Sequence, residues 1–251
     1  MIKIKTPQEV EIMRVGGKML GDTMWEVLKE VKPGVSEIEL DALAEKLIRQ
    51  KGGEPGFMKV QGYKHATCIS TNDVVVHGIP SNYKLKDGDV IGIDCGVYLR
   101  GFHTDMSETV RVGGEKGDEV DKFLKIGKEA LKAGIKQAIV GNHVGDISRA
   151  IQGIVEARSG YSVVRTLVGH GVGKELHEDP EIPGYVQGRI EKSPLLKEGM
   201  VIAIEVIYNM GGPDLTLDDD GWTIRTKDGS LGGLFERTVA ITKTGPQILT
   251  P

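Results

Sequence analysis

The sequence predicts an α+β fold in which one antiparallel sheet carries two helix pairs on its outside. Three observations point to it. Apolar residues recur at helical spacing in two separated blocks; β-branched runs broken by turn dipeptides follow each block; and no stretch is long or polar enough to act as a linker. Residues 1–251 therefore read as a single domain, its architecture duplicated without obvious repetition of sequence, with a cleft between the halves.

The first helix begins at Thr6-Pro7-Gln8-Glu9, where a hydroxyl at the cap, proline at the first helical position and glutamate at the third form a capping box. Val10, Met13, Leu20, Met24, Val27, Leu28 and Val31 keep helical spacing until Lys32-Pro33-Gly34. Ser36-Glu37-Ile38-Glu39 repeats the box ahead of Leu40, Leu43, Leu47 and Ile48, and Gly52-Gly53 ends the pair. From Ala66 to Val112 the runs Val74-Val75-Val76, Val90-Ile91-Gly92-Ile93 and Thr109-Val110-Arg111-Val112 read as strands, with turns at Asn72-Asp73, Asp87-Gly88 and Arg100-Gly101. Helical spacing returns after Gly117-Asp118 through Val120, Phe123, Leu124, Leu131, Ile135 and Ile139. A fourth helix is expected after Gly145, with Asp146 as its cap, and strand signals resume at Val163.

Composition excludes several functions. Hydrophobic residues make up 39% of the chain, enough for a sizeable core and too many for a disordered chain. With 32 Lys+Arg against 36 Asp+Glu the net charge is −4, so nucleic acid and anionic membrane surfaces are not expected partners. The two cysteines, Cys68 and Cys95, are too few to staple a secreted domain of this size, which implies a reducing compartment. There is no signal-peptide-like apolar segment near Met1 and no apolar run of membrane-spanning length, so a cytoplasmic protein is expected.

Asp94 and Asp105 each lie in an apolar strand, where an ionised carboxylate needs a strong partner. A two-residue loop at Arg100-Gly101 sets Gly96 opposite Asp105 and leaves Asp94 its diagonal neighbour on the same face, with Cβ atoms roughly 7 Å apart or less. Both carboxylates then reach one point, which calls for a cation; the plainer alternative is exposed aspartates balanced by Lys or Arg. His170 stands in Gly169-His170-Gly171-Val172-Gly173, where flanking glycines permit close approach of other groups, whereas His65, His103 and His143 read as structural. Alternation places Val201, Ala203 and Glu205 on one face of an otherwise apolar strand, so Glu205 is buried. Glu236 repeats the pattern, with a Glu236–Arg237 ion pair as the ordinary alternative.

Four strand carboxylates and one histidine make an oxygen-rich set with one nitrogen, which fits a catalytic site for Mn, Fe, Co or Zn. Five ligands exceed the needs of one ion. Carboxylates shared between two ions about 3.5 Å apart would use all five and activate a bridging water for hydrolysis.

Five segments in order resemble one family, the type I methionine aminopeptidases. They are Asn72-Asp73-Val74-Val75-Val76-His77-Gly78-Ile79-Pro80, Ile93-Asp94-Cys95-Gly96-Val97 through His103-Thr104-Asp105, Gly169 to Gly173, Leu176-His177-Glu178-Asp179-Pro180, and Gly221-Trp222-Thr223 through Glu236. The resemblance runs from about Thr6 to Leu249. It implies the pita-bread fold, a pseudo-twofold α+β domain with a dinuclear metal site, and removal of initiator methionine from nascent chains whose next residue is small. By the same resemblance Asp94 and Asp105 hold two divalent ions, Asp105 and Glu236 bridge them, and His170 and Glu205 complete the first site.

A metal-bridging water would attack the carbonyl after the terminal methionine, with Glu205 as general base and later acid. His177 would hydrogen-bond the scissile carbonyl or its oxyanion, and His77 the amide near the leaving nitrogen. Tyr63, Cys68, His77 and Trp222 are implied to line the methionine pocket. Two positions depart from the family pattern: Val206 stands where proline is usual, and Leu176 where an aromatic is frequent. Both bear on pocket shape rather than on the ligands. The expected partners are nascent polypeptide N-termini and, transiently, the ribosome, and the expected state is monomeric. The rival readings are a proline-directed peptidase of the same fold and a metal-free module that binds peptides.

Overall fold

In the computed structural model, which describes all 251 residues, the chain opens with helices α1 (Pro7–Lys29) and α2 (Glu37–Gln50). Both start at their capping boxes. Glu9 N donates to Thr6 Oγ1 at 3.3 Å while Thr6 N donates to Glu9 Oε2 at 2.8 Å, and Ser36 N donates to Glu39 Oε2 at 2.8 Å. Strands β1 (Glu54–Pro55), β2 (Thr67–Thr71), β3 (Val74–Val76), β4 (Val90–Leu99) and β5 (Phe102–Arg111) follow. The second half repeats the order with helices α3 (Glu119–Gln137) and α4 (Val144–Gln152), then β6 (Ser162–Val163), β7 (Gly169–Gly171), β8 (Glu178–Ile182) and β9 (Val201–Asn209). Strands β10 (Leu215–Leu217), β11 (Ile224–Thr226), β12 (Gly232–Thr242) and β13 (Gly245–Ile248) complete the chain.

The cap of α4 differs from the sequence expectation. His143 takes the cap position, and Asp146 is the third helical residue, reaching back to accept from His143 N at 2.9 Å. A carboxylate serves a helix start from either position, so the residue type located this helix only to within one turn. Helix α3 likewise stops at Gln137, leaving Ile139 exposed beyond it.

Ten strands form one antiparallel sheet along the path β1-β4-β5-β12-β9-β7-β8, with β2 paired on β4, β6 on β9 and β13 on β12. A separate three-stranded sheet joins β10, β11 and β3. Both helix pairs cover the same face of the large sheet. Ile91, Ile93, Cys95 and Val97 meet α1 and α2 through Leu20, Met24, Leu40 and Ile48, while Ile202, Ile204, Val206 and Phe235 meet α3 and α4 through Phe123, Ala130, Ile147 and Ile151. Since side chains alternate along a strand, Asp94, Asp105, Glu205 and Glu236 fall on the uncovered face. Burial of one face thus fixes the register that presents the acids on the other.

Helix α3 can approach β9 and β12 closely because residue 127 is glycine. A Cβ there would lie 2.4 Å from the Phe235 ring and 2.5 Å from Tyr208 Oη, both fully buried and unable to yield. Alanine would gain up to about 1 kcal/mol of helix propensity, less than the overpacking it causes. Gly127→Ala is therefore expected to destabilise the protein by roughly 1–3 kcal/mol, read as a lower urea midpoint with an unchanged slope.

Candidate metal centre

The β4–β5 hairpin turns through Arg100 and Gly101, both at positive φ, and pairs Leu99 with Phe102. The register that follows places Gly96 opposite Asp105 and Asp94 opposite Ser107. Ser107 faces Glu236 on β12, and Glu236 faces Glu205 on β9. A single row across four strands thus carries Asp94, Ser107, Glu236 and Glu205 on one face, with Asp105 two residues along from Ser107. His170 joins from β7 opposite Ala203, diagonal to Glu205. Its glycine neighbours are explained by crowding, because a Cβ at Gly169 would lie 2.5 Å from Ala203 O and one at Gly171 2.2 Å from Asp179 O.

Ligand-type atoms of Asp105, His170 and Glu236 lie within 4.8 Å of one another. His170 Nε2 is 3.5 Å from Glu205 Oε1 and 3.9 Å from Asp105 Oδ2. The other ring nitrogen, Nδ1, sits 2.8 Å from Gly171 O, which can only accept, so Nδ1 carries the proton. Burial holds the His170 imidazole down at about 3, hence neutral near pH 7. The Nε2 lone pair therefore faces carboxylate oxygens, and once those acids are ionised acceptors stand against acceptors, an arrangement that calls for a cation.

Nothing in the chain supplies one. The four carboxylates form no ion pair with Lys or Arg. Arg237 turns to the opposite face, where Nη2 donates to Glu108 Oε2 at 2.7 Å, so the Glu236–Arg237 pair considered from sequence does not form. Asp94 Oδ1 and Glu236 Oε1 are buried with no hydrogen-bond partner. Burial pushes Asp94 up to about 7, and burial followed by the charges of the neighbouring acids pushes Asp105, Glu205 and Glu236 well above the usual carboxylate range. Orphaned oxygens, an inward lone pair and mutually repelling acids make a donor set that fits divalent metal.

A cavity of about 120 Å³ opens beside the acids. Tyr63, Cys68, His77, Leu176, His177 and Trp222 line it, as do Phe57 and Val60. Tyr63 is fixed by its hydroxyl donating to Thr67 O at 2.8 Å and by its ring packed 5.1 Å from Trp222. The His177 ring meets His170 edge-on at 4.4 Å. His77 sits at φ +57, a strained conformation that aims it out of the end of β3. Burial lowers the pKa of both His77 and His177, which favours their neutral forms. Larger surface depressions, such as the 620 Å³ one beside Ile190, contain none of these residues.

All ten residues singled out from sequence therefore meet at one place. His65 pairs instead with Asp41 at 3.1 Å, His103 packs on Tyr98 and His143 caps α4. Of the two departures, Leu176 lines the cavity, whereas Val206 is buried under α3 and α4 on the far face. Phe57 and Val60 went unrecognised, because one short 3-10 turn, Phe57–Lys59, and its end carry them and show no periodic pattern.

Raised carboxyl pKa values mean that the folded chain keeps protons the unfolded chain has lost, so stability falls as pH rises through the folded values. Above about pH 6.5 each unfolded histidine carries at most half a charge and loses it by about pH 8, so the four acids dominate this balance. In chelator, the melting midpoint is expected to fall between about pH 6.5 and 8.5, spanning the Asp94 value of about 7. Glu236→Gln, with one charge fewer, should melt at least a few degrees higher than the parent at about pH 8; an unchanged or lower midpoint would contradict the repulsion.

The sequence pattern of Metallopeptidase family M24 matches residues 11–243. The methionine aminopeptidase of Clostridium perfringens is 46% identical over 250 residues, covering 100% of this chain and 99% of the relative. Methionine aminopeptidase 1 of Bacillus subtilis is also 46% identical, with the same coverage. Among solved structures, the methionine aminopeptidase of Thermotoga maritima superposes with a TM-score of 0.95 at 39% identity, covering 100% of this chain and 99% of that one. Prolidase from Pyrococcus furiosus shares the pita-bread fold more distantly, at TM-score 0.78 and 26% identity over 99% of this chain and 65% of that one. An acid row, a neutral histidine and an adjoining apolar cavity on this sheet, together with these likenesses, show that the chain belongs to metallopeptidase family M24 and, within it, to the methionine aminopeptidases.

Proposed function

We propose that the protein removes the initiator methionine from nascent chains whose second residue is small, as a methionyl aminopeptidase with residues 1–251 as one catalytic domain. The observation that carries this reading is the His170 Nε2 lone pair directed at acids that no side-chain cation neutralises. Asp94, Asp105, His170, Glu205 and Glu236 would hold two divalent ions (Mn, Fe, Co or Zn), since four carboxylates and an imidazole offer more donors than one ion uses. Such ions supply Lewis acidity and activate a hydrolytic water.

The remaining chemistry belongs to the side chains. Glu205 takes the proton from the attacking water at a carboxylate oxygen and returns it to the leaving nitrogen. Neutral His177 donates an N–H to the scissile carbonyl oxygen and stabilises the charge that develops there. His77 binds the substrate amide on the leaving side. Tyr63, Cys68, Leu176 and Trp222 enclose the methionine side chain, whose flexible thioether suits a small, irregular apolar pocket and contact with aromatic rings.

This role sets the protein's surroundings. Its substrates emerge from the ribosome, so we place it in the cytoplasm with transient ribosome contact; no helix is long and apolar enough to cross a membrane. We expect it to act as a monomer.

The test is hydrolysis of Met-Ala-Ser and Ala-Ala-Ser by chelated and metal-restored protein. Metal-dependent release of methionine from the first alone is expected. No metal-dependent release overturns the proposal, and equal cleavage of both peptides removes its specificity. Glu205→Gln should lower kcat by about 10²- to 10⁴-fold, and His177→Ala by about 10²-fold.

A further inference from the structure

We infer that Lys5, through a buried ion pair with Glu178, is a positioning residue for His177. The inference rests on the reading above in giving His177 its role at the scissile carbonyl. Lys5 Nζ lies 2.8 Å from Glu178 Oε2, and the two side chains are only 5% and 1% exposed. Glu178 directly follows His177 in the chain. Its second oxygen, Oε1, accepts from Glu175 N and from Lys3 Nζ, both at 3.3 Å, so one carboxylate spans the loop that carries the histidine. Lys5 is itself anchored: its backbone N donates to Gly199 O at 2.7 Å and its ammonium to Lys3 O at 3.2 Å.

The pair also accounts for the last glycine of the His170 motif, which the metal centre leaves unexplained. A Cβ at Gly173 would lie 2.6 Å from Lys5 Cε and 2.8 Å from Glu178 Oε1, so the ion pair occupies the space a side chain there would need. Gly173 O accepts from His103 N at 2.7 Å, which ties the same loop to β5, two residues from Asp105. His177 needs this support, because the residue is partly open to solvent and its ring, edge-on to His170, makes no hydrogen bond within the chain. The aim of the ring is thus set by the backbone of the Gly173–Glu178 loop, and Lys5 reaches that loop from the opposite end of the sequence.

A buried ion pair can equally be a structural element with no bearing on chemistry. The two roles separate in a double-mutant cycle with His177. Lys5→Met keeps the side-chain stem and removes the charge. On Met-Ala-Ser it is expected to lower kcat by about 10- to 100-fold with KM little changed, as for a misplaced catalytic group. In a His177→Ala background the same substitution should change kcat by less than about twofold. Glu178→Gln should show the same split between backgrounds, and it serves if Lys5→Met does not fold. Equal losses in both backgrounds, or an unchanged kcat in the parent background, would overturn the inference. A parent enzyme that releases no methionine would instead overturn the proposed function.

Discussion

Mutual repulsion among four buried carboxylates is the constraint around which this molecule is arranged. Asp94, Glu236 and Glu205 share one row across the sheet and Asp105 stands beside it. Two like charges 4 Å apart repel by about 4 kcal/mol at an effective dielectric constant of 20. No lysine or arginine forms an ion pair with them, and the His170 imidazole turns its lone pair toward the acids. The protein can hold such a cluster only because the far face of the same strands is buried under four helices, whose packing stabilises the sheet independently of the acids. Structure and site therefore divide between the two faces, with stability on one and strain on the other.

The parts of this arrangement that were legible in the sequence are those with a local rule. Capping boxes at Thr6 and Ser36 fixed two helix starts to the residue, because both partners lie within four positions of each other. The Arg100-Gly101 turn fixed the hairpin register, and with it the facing of Gly96 and Asp105. A carboxylate in an apolar alternating run could be assigned to a face by counting in twos, which located Glu205 and Glu236. Asp146 shows where such rules lose resolution, since aspartate is favoured at more than one position of a first turn. Phe57 and Val60 mark the other limit: their place in the cavity depends on how a short irregular segment folds over β4, and no periodicity encodes that. The contact between Lys5 and Glu178, 173 residues apart, is invisible to any local pattern.

The three histidines of the site illustrate how environment distinguishes one residue type. His170 is fixed on a strand, its proton committed to Gly171 O and its free nitrogen turned inward, as suits a ligand. His77 is held at the end of β3 by an unusual backbone angle. The His177 ring has no hydrogen-bond partner within the chain, so its single N–H stays available to a substrate. Burial keeps all three neutral, so each offers one donor and one acceptor, and position alone decides which is used.

The likeness to prolidase at 26% identity shows that this sheet serves more than one peptidase, so the fold by itself does not select the substrate. The division of labour within the site explains how that is tolerated. All five proposed metal ligands stand on β4, β5, β7, β9 and β12, where register and the covered face hold them. The walls of the cavity come mostly from elsewhere: Phe57, Tyr63, Leu176 and Trp222 all lie on connecting segments. A connecting segment can change length or composition without shifting a strand, whereas a one-residue slip in any of the five strands would send a ligand to the wrong face. Specificity is thus free to vary on a metal-binding frame that is not. Leu176 lines the cavity from one such segment, apart from the strands that carry the row of acids.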